Sequence, residues 1–537
     1  MPAIRSNVIV ESDDFRANRA HHLRLIAEFR TLEARVREVS SRADSKFRAR
    51  GQLPPRERVN LLLDRDSPFL ELSSLAGLGM HEDDGAENVF GGGSIVGIGM
   101  VSGARCMIAA NDSGIKGGAA HPMGVEKAIR AQKIALMNKL PYVQLVESAG
   151  ANLLLQAEMF VRGGASFANM ARLSAAGIPV VSIVHGSSTA GGAYQTGLAD
   201  YVVMVRGRSK VFLAGPPLLK AATGEIADDE QLGGAALHCA TTGLGEYLAE
   251  DDADALRIGR ELLARLGWAA QNAPRSPAAA PLYDPEELLG VAPVDYRKPY
   301  EVREVIARIV DGSEFLDFKG SYGPETVCGQ AAIEGHPVGL VGSNGPIDSA
   351  GASKAGQFIQ LCCQAGLPIV FLQNTTGYLV GVEAESSGIV KHGSKMIQAV
   401  TNADVPKLTL QIGGSFGAGH YGMCGRAFGP RFLFSWPNAR VAVMGGEQAA
   451  RVMAIVAEEG ARARGLSFDE SKTKSQGARI VAAYERESTA LFATARLWDD
   501  GLIDPRDSRA TLAFCLDVCA EAEARTLRPN TFGVARF

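Results

Sequence analysis

The stretch Gly186-Ser-Ser-Thr-Ala-Gly-Gly-Ala-Tyr194 decides the interpretation of this chain. It follows a run of β-forming residues, Ile178-Pro-Val-Val-Ser-Ile-Val184, and its glycines favour a sharp turn from a strand into a helix. Such a turn leaves backbone N–H groups without partners, and these groups can stabilise an oxygen that becomes negatively charged during a reaction. The stretch therefore predicts an oxyanion hole at the carboxyl end of a strand.

The same kind of turn occurs a second time. Another β-rich run, Val405-Pro-Lys-Leu-Thr-Leu-Gln-Ile412, leads into Gly413-Gly-Ser-Phe-Gly-Ala-Gly-His-Tyr421. Three pairs of residues share one separation of 227 positions: Tyr194 and Tyr421, Pro179 and Pro406, and Pro141 and Pro368. We call this separation the repeat offset. Three equal separations indicate a duplicated domain.

Composition indicates an ordinary globular chain. It has 537 residues, of which 46% are hydrophobic and 21% are charged, and its net charge is −4. This charge gives no signal for nucleic-acid binding, and no apolar run reaches the roughly 18 residues of a membrane span. The amino-terminal residues resemble neither a secretory signal nor a transit peptide, so we expect a cytoplasmic protein. The eight cysteines form no C-x-x-C motif, which favours reduced buried thiols and no metal site in this chain.

The order of predicted elements gives the domain organisation. An amphipathic helix is predicted from Asp13 to about Arg48, followed by alternating strands and helices, which are typical of parallel α/β units. A segment rich in proline and alanine then predicts a linker before the second copy. We predict an α/β fold with four parts: a helical extension at residues 1–50, a first domain at 51–270, a linker at 271–295 and a second domain at 296–537.

Each copy contains two glycine-bearing turns at strand ends. In the first copy these are Ser148-Ala-Gly150-Ala151 and Ala190-Gly191-Gly192, and in the second they are Thr376-Gly377 and Gly417-Ala418-Gly419. One N–H donor from each turn would complete a hole for a carbonyl oxygen that becomes an enolate. The alternative is that these glycines only allow helices to pack closely against strands, and a paired arrangement in both copies favours the two holes.

Side chains make a weaker case for chemistry. The motif G-x-S-x-G is not met, so a nucleophilic serine is not indicated, and His185 follows an apolar strand as a core histidine does. His420 lies inside the second turn, where a site role and a packing role are both open. Lys116, in Lys116-Gly117-Gly118, suits contact with a phosphate, although a solvated lysine is the alternative. The residues alone thus predict two carbonyl sites with few acid–base side chains.

Several motifs resemble the carboxyltransferase β subunits of biotin-dependent acyl-CoA carboxylases. They are spread from about Arg50 to Pro505: Pro54-Pro-Arg-Glu-Arg-Val59, Lys116-Gly-Gly118, Thr189-Ala-Gly-Gly-Ala-Tyr194, Phe212-Leu-Ala-Gly-Pro-Pro-Leu-Leu-Lys-Ala-Ala-Thr-Gly-Glu225, Leu232-Gly-Gly-Ala, Leu361-Cys-Cys-Gln364, Gly417-Ala-Gly-His-Tyr-Gly-Met-Cys-Gly-Arg426 and Met444-Gly-Gly-Glu-Gln-Ala449. The resemblance implies two tandem crotonase-like domains (the ββα superhelix), preceded by the helical extension.

The resemblance also implies the reaction and the assembly. The first domain would bind acyl-CoA and the second would bind biotin, which a separate biotin carboxylase and biotin carrier α subunit would supply. Six β subunits would form a ring within an α6β6 complex, with each active site shared between the first domain of one subunit and the second domain of another. Matching the family motifs, Gly191 and Gly192 would hold the thioester enolate, and Gly417 and Ala418 would polarise the biotin carbonyl.

Further residues are expected to bind the substrates on the same basis. They are Lys116, Gly117, Gly118, Ser148, Gly150, Ala151, Gly163, Gly164, Phe167 and Ala190 in the first copy, and Thr376, Gly377, Phe416, Gly419, His420 and Tyr421 in the second.

The stretch Ser415-Phe-Gly-Ala-Gly-His-Tyr-Gly resembles the branch of the family that carboxylates the γ-methyl of methylcrotonyl-CoA or geranyl-CoA. Methylcrotonyl enzymes resemble one another in a His-Phe-Gly-Arg-Ile-Phe segment, where this chain has Arg162-Gly-Gly-Ala-Ser-Phe167 in what we expect to be a shorter loop. Glycine and serine in place of bulky side chains imply a longer acyl pocket. Geranyl-CoA, a substrate of acyclic terpene breakdown, is therefore the expected substrate.

Other functions stay open at this point. The chain could belong to a methylcrotonyl-CoA carboxylase of leucine breakdown if the change in that segment has no effect on substrate choice. A stand-alone hydratase or decarboxylase on the same fold would work without an α subunit, and a non-catalytic scaffold subunit would not exchange carboxyl groups with biotin. Co-purification of a biotinylated partner distinguishes these classes.

Overall fold

The computed structural model describes residues 2–270 and 275–535. The first four residues of the predicted linker, 271–274, lie outside this described part. The chain divides into two compact units. The first unit comprises the described parts of residues 30–273, 495–497 and 517–537, and the second comprises those of 1–29, 274–494 and 498–516. Residues 2–29 therefore group with the second copy, and residues 517–535 group with the first.

The first unit contains an eight-stranded sheet. Its strands are β1 Leu70–Glu71, β2 Ser94–Val101, β3 Ala104–Asn111, β4 Tyr142–Ser148, β5 Val180–Thr189, β6 Tyr201–Val205, β7 Lys210–Phe212 and β8 Tyr247–Ala249. The order is β1-β2-β3-β4-β5-β6-β8, with β7 paired to the end of β5. The β2–β3 pair is antiparallel, and the strands from β3 to β6 run parallel. The carboxyl ends of β4 and β5 therefore lie side by side.

The second unit contains a seven-stranded sheet. Its strands are β9 Leu316–Asp317, β10 Thr326–Ile333, β11 His336–Ser343, β12 Ile369–Thr375, β13 Lys407–Phe416, β14 Phe432–Ser435 and β15 Arg440–Ala442. Along this sheet the order is β14-β13-β12-β11-β10-β9, and β15 pairs with the end of β13. The parallel pair β12–β13 repeats β4–β5, because both strands begin and end at the repeat offset from their counterparts.

Helices cover the faces of both sheets. In chain order they are α1 Asp13–Ser41, α2 Asp44–Ala49, α3 Pro55–Leu62, α4 Pro122–Met137, α5 Gln156–Ala175, α6 Gly191–Gly197, α7 Pro216–Thr223, α8 Asp229–Gly233, α9 Ala235–Leu237, α10 Asp252–Arg265, α11 Leu288–Val291, α12 Val302–Ile309, α13 Ser349–Ala365, α14 Val382–Ser386, α15 Ile389–Asn402, α16 Gly417–Gly422, α17 Gly446–Ala463, α18 Glu470–Glu487, α19 Ala490–Ala495 and α20 Ser508–Ala524.

Each sheet has its own hydrophobic core. In the first unit, aliphatic residues of the central strands, such as Val143 and Ile183, pack against α3 and α10. In the second, Val341, Phe371 and their neighbours pack against α13 and α15. The continuous apolar runs of β4, β5, β12 and β13 follow from burial on both faces, which is typical of parallel strands. The predicted α/β architecture with a repeated unit is confirmed.

Two predicted elements have different limits in the structure. The amino-terminal helix ends at Ser41 and restarts at Asp44, so it is not continuous to Arg48. The segment Arg162–Phe167, which we predicted to be a shortened loop, lies inside helix α5. Its two glycines weaken the helical preference by about 1 kcal/mol each, but Gln132 and Gln195 fix this part of the helix through hydrogen bonds to Ser166.

Two further sequence predictions concern the surroundings of the chain. No helix within residues 2–270 and 275–535 combines the length and the hydrophobicity of a membrane span. All eight cysteines are free thiols, and Cys239 and Cys363 are partly exposed rather than buried.

Candidate functional site

The first candidate site is built where β4 and β5 end. Ser148 and Ser188 are neighbours in the parallel register, so the two turns that follow them start from one edge of the sheet. The turn after β5 leads directly into α6, which begins at Gly191. The first N–H groups of a helix have no intrahelical acceptor. The two predicted glycine turns are therefore brought together.

The turn after β4 is held in place by its own backbone. The N–H of Ala120 donates to the carbonyl of Gly150 at 2.8 Å, and the N–H of Asn152 donates to the carbonyl of Ala120 at 3.0 Å. The N–H of Gly150 donates to Oγ of Ser148 at 3.1 Å. The N–H of Ala151 has no acceptor among the described residues. We call residues 148–152 the first strap.

Small residues allow the turn after β5 to approach this strap. A Cβ atom on Gly192 would lie 3.8 Å from Cβ of Ser148 and 3.0 Å from Oγ of Ser188. A Cβ on Gly191 would lie 3.4 Å from Cζ of Phe167, so this ring flanks the start of α6. The strap and the first turn of α6 thus lie close together, and we call the pair the first cradle.

The second candidate site repeats these bonds at the repeat offset. The N–H of Ile347 donates to the carbonyl of Gly377 at 2.9 Å, and the N–H of Leu379 donates to the carbonyl of Ile347 at 2.9 Å. The N–H of Gly377 donates to Oγ1 of Thr375 at 3.2 Å. Within the described part of the chain, the N–H of Tyr378 has no acceptor, as for Ala151. We call residues 375–379 the second strap.

The second cradle is tighter than the first. A Cβ atom on Gly419 would lie 2.8 Å from Cα of Gly377, so only glycine fits there. The repeat offset aligns Ala190 with Gly417, Gly191 with Ala418 and Gly192 with Gly419. The residue pairs that we predicted to be catalytic, Gly191 with Gly192 and Gly417 with Ala418, are therefore shifted by one position between the copies.

Ala190 has a strained backbone conformation. Its φ of 55° and ψ of −117° lie in a region that favours glycine, and the equivalent residue of the second copy, Gly417, has φ 54°. Ala190 is exposed, so no packing of its methyl group compensates for the strain.

We expect Ala190→Gly to raise the free energy of unfolding by about 1 kcal/mol, because relief of strain exceeds the added entropy of the unfolded chain. Gly417→Ala should have the opposite effect, since its Cβ would also meet the Val443 carbonyl at 3.2 Å. Urea unfolding of the two variants tests this pair. Equal midpoints for Ala190→Gly and the wild type would contradict the expectation.

Lys116 lies beside the first strap. It belongs to a turn whose last residue, Gly118, approaches the end of β4 so closely that a Cβ atom would lie 2.2 Å from the Glu147 carbonyl. The Lys116 side chain is half exposed, with Nζ 3.5 Å from a carboxylate oxygen of Glu82 and 5.7 Å from the centre of the Phe90 ring. An anionic ligand would compete with Glu82 for this ammonium group.

A buried group of charges lies behind the first cradle. Arg58 Nη1 donates to Glu147 at 2.6 Å, and its Nε lies 3.5 Å from Asp252. His185 Nδ1 is 2.8 Å from Asp252, and burial lowers the pKa of His185, with Arg58 adding to the effect. His185 is thus a core residue, as its sequence context indicated. Because Glu147 directly precedes Ser148, this group fixes the end of β4.

A chain of hydrogen bonds leads to the second cradle. Oε1 of Gln373 accepts from Nε2 of Gln411 at 3.0 Å and from Oγ of Ser415 at 2.8 Å. Since the Ser415 hydroxyl donates to Gln373, its oxygen accepts the Nδ1–H of His420 at 2.8 Å. Burial lowers the pKa of His420 to about 4, so its imidazole is neutral near pH 7.

The lowered pKa predicts a pH dependence of stability. The unfolded chain binds a proton at His420 below pH 6.5, whereas the folded chain does so only near pH 4. Stability is therefore lost as the pH falls through this window, by about 3 kcal/mol from this residue. We expect His420→Gln to reduce the fall of the urea midpoint between pH 6.5 and pH 4. An unchanged pH slope would contradict the prediction.

The structure places the predicted residues in two groups. Lys116, Gly117, Gly118, Ser148, Gly150, Ala151, Phe167, Ala190, Gly191 and Gly192 surround the first cradle, and Gly377, Phe416, Gly417, Ala418, Gly419 and His420 surround the second. Gly163 and Gly164 lie on α5, one turn before Phe167. Thr376 and Tyr421 are exposed beside the second cradle.

Some residues that form or hold the two cradles were not predicted. Tyr378 and Thr375 were missed, although the repeat offset maps them onto Ala151 and Ser148. Ala120 and Ile347, which hold the two straps, carry apolar side chains that give no signal of their backbone role.

The chain is similar to proteins of one family over nearly its whole length. The family model described as "Carboxyl transferase domain" matches residues 46–534. The crystal structure of the P. aeruginosa geranyl-CoA carboxylase β subunit is 57% identical, with a TM-score of 0.94 and coverage of 100% of both chains. This match confirms the predicted fold class of two tandem crotonase-like domains.

Two curated relatives are also similar to the chain. A probable biotin-dependent acyl-coenzyme A carboxylase beta2 subunit of Mycobacterium tuberculosis is 52% identical over 92% of each chain. A probable mitochondrial methylcrotonoyl-CoA carboxylase beta chain of Drosophila melanogaster is 46% identical over 99% of this chain and 95% of its own length.

Proposed function

This chain belongs to the carboxyltransferase family of biotin-dependent acyl-CoA carboxylases, and on that premise we propose that it is the β subunit of a geranyl-CoA carboxylase. Two observations support the choice of substrate. The 57% identical structure that covers the whole chain is a geranyl-CoA carboxylase β subunit. In this chain, the helix beside the first cradle carries Gly163 and Gly164, and a Cβ on either residue would have no heavy atom within 4 Å.

In this proposal the first cradle binds the thioester. Its carbonyl oxygen would lie between the N–H of Ala151 and the N–H groups of Gly191 and Gly192. These donors stabilise the negative charge that reaches this oxygen when the γ-methyl loses a proton, because the extended dienolate delocalises the charge onto the carbonyl. Lys116 would pair with a phosphate of CoA in place of Glu82.

The second cradle would bind biotin, the carboxyl donor, on a separate α subunit. The N–H groups of Gly417, Ala418 and Tyr378 would polarise its ureido carbonyl. When bound, carboxybiotin would supply the CO2 and its ureido nitrogen would accept the proton of the γ-methyl, so that the dienolate carbon could form the new bond to CO2. No side-chain base is needed. The position of His420 agrees with this, because its Nδ1 is hydrogen-bonded to Ser415. We further propose an α6β6 assembly in the cytoplasm.

Reconstitution with its biotinylated α subunit tests the proposal. We expect the complex to turn over geranyl-CoA with a higher kcat/KM than methylcrotonyl-CoA. The second candidate is a methylcrotonyl-CoA carboxylase β subunit, which is favoured by relatives with that name that are 46 to 49% identical. A strong preference for methylcrotonyl-CoA would overturn our choice in its favour.

Purification from cells separates the other classes. A biotinylated protein that co-purifies with the chain supports a carboxylase, whereas turnover without any partner would indicate a hydratase or decarboxylase. A complex that contains biotin but transfers no carboxyl group would indicate a scaffold subunit.

A further inference from the structure

A hydroxyl side chain holds each strap at the same position. Oγ of Ser148 accepts the N–H of Gly150 at 3.1 Å and donates to the carbonyl of Gly118 at 3.0 Å. Oγ1 of Thr375 accepts the N–H of Gly377 at 3.2 Å, and its hydroxyl proton is shared between the carbonyls of Gly345 at 3.2 Å and Gly377 at 3.3 Å. Gly118 and Gly345 are also separated by the repeat offset, so the two copies share the whole arrangement. We call it the hydroxyl clamp.

A parallel bridge and the clamp together determine which N–H groups of each strap are bonded. In a parallel bridge, one strand bonds through the residues on either side of the bridged residue, whose own N–H points away from the partner. Ala151 is bridged to Ala120 and Tyr378 to Ile347 in this way. Gly150 and Gly377 are bonded to the hydroxyls, and the N–H groups of Ala151 and Tyr378 have no acceptor among the described residues, so these two are the donors that we assign to the cradles.

The clamp acts together with the backbone bonds of Ala120 and Ile347, which hold the carbonyl groups of Gly150 and Gly377. Gly150 has φ 89° and Gly377 has φ 116°, values that are open to glycine and leave it free to rotate when it is not bonded. Thr375 is buried and Ser148 is partly buried. Loss of either hydroxyl would leave each glycine held only through its carbonyl, so that the peptide carrying the N–H of Ala151 or Tyr378 could tilt.

We propose that Ser148 and Thr375 are positioning residues, each of which aims one backbone N–H at the carbonyl oxygen in its own cradle. Ser148 acts through Ala151 on the acyl thioester, and Thr375 acts through Tyr378 on the biotin carbonyl. The proposal rests on the proposed function for the identity of these two carbonyl groups.

Four variants and one control test the clamp in the reconstituted complex. Ser148→Ala and Thr375→Val remove the hydroxyls, while Ser148→Thr and Thr375→Ser retain them. Thr401→Val removes a hydroxyl that bonds only to its own helix and is expected to match the wild type. We expect Ser148→Ala and Thr375→Val to lower kcat by about 10- to 100-fold, and the two conservative variants to stay within about threefold.

The KM values for the two substrates distinguish the effects on the first and second copies. For Ser148→Ala we expect a raised KM for acyl-CoA with an unchanged KM for free biotin, and for Thr375→Val the reverse. Wild-type kcat in both hydroxyl-free variants, or an equal rise of both KM values in each, would overturn the clamp. A merely structural role predicts the second of these outcomes.

A binding measurement distinguishes failure of the clamp proposal from failure of the proposed function. Calorimetry compares an acyl-CoA thioester with its thioether analogue, which lacks the carbonyl oxygen. We expect Ser148→Ala to lose the preference for the thioester and Thr375→Val to keep it. A protein that shows this pattern but transfers no carboxyl group would support the clamp and contradict the proposed function, and a retained preference in Ser148→Ala would overturn the clamp.

Discussion

Gly163→Phe is expected to lower kcat/KM for geranyl-CoA by about 100-fold while changing the value for methylcrotonyl-CoA by less than about threefold. Gly163 precedes Phe167 by four residues on α5, so the two lie on the same helix face. The Phe167 ring in turn flanks Gly191 at the first cradle. A phenylalanine at position 163 would extend into the open space beside this ring, where we place the distal part of the acyl chain.

The size of the effect follows from the difference between the substrates. Geranyl-CoA is one isoprene unit longer, and at about 0.8 kcal/mol per buried carbon this unit contributes at most about 4 kcal/mol of binding. Excluding it would therefore cost about 2 to 4 kcal/mol, which agrees with a loss of about 100-fold.

Gly164→Phe is the matched control. It introduces the same side chain one residue later, about 100° around the helix axis from Gly163 and at an exposed position. Steady-state kinetics of both variants with both substrates decide the matter. If Gly163→Phe lowers the two kcat/KM values equally, or if Gly164→Phe is as selective, the acyl chain does not run along this face of α5.

The duplication is the part of the fold that the sequence predicts best. Three pairs of anchor residues were enough to align strands β4 and β5 with β12 and β13 over their full lengths. Two of these pairs are prolines that directly precede a strand, where the backbone tolerates the missing N–H, and the backbone is what the two copies share. The glycine turns of the two cradles follow from the same signal.

Local signals failed where tertiary contacts decide the structure. The family resemblance suggested a shortened loop at residues 162–167, but Gln132 and Gln195 bond to Ser166, and α5 is helical throughout this segment. The break of the first helix after Ser41 has no proline or glycine to indicate it.

Free backbone N–H donors could not be predicted from the sequence for a different reason. The free N–H of Tyr378 depends on what its neighbours bond to, and its aromatic side chain says nothing about that. The buried ion pair of Arg58 and Glu147 joins residues that are 89 positions apart, so no periodicity connects them.

Gly419→Ala is expected to abolish most carboxyl transfer, with a loss of about 100- to 1,000-fold in kcat. A methyl group on Gly419 would lie 2.8 Å from Cα of Gly377 and 3.0 Å from Cγ2 of Thr375, so the second strap must move away from α16. The two sets of N–H groups could then no longer meet at one oxygen, and the loss of one oxyanion donor typically costs about 2.7 to 4 kcal/mol.

The equivalent change in the first copy provides a graded comparison. Gly192→Ala meets Oγ of Ser188 at 3.0 Å, a side-chain atom that can rotate aside, and reaches the strap only at 3.8 Å. We therefore expect a smaller loss, of about tenfold.

Gly460→Ala, in helix α17, controls for the added methyl group, since its Cβ would lie 3.5 Å from the end of the flexible Arg464 side chain. Carboxyl transfer between the carboxylated acyl-CoA and free biotin is the measurement, together with urea unfolding to show that the fold is retained. If Gly192→Ala proves more damaging than Gly419→Ala in a folded protein, steric closeness of strap and helix does not govern activity. Near-normal transfer by Gly419→Ala would mean that the second cradle does not hold the biotin carbonyl. The added methyl group would move the second strap away from α16, and the reaction would then not depend on their closeness.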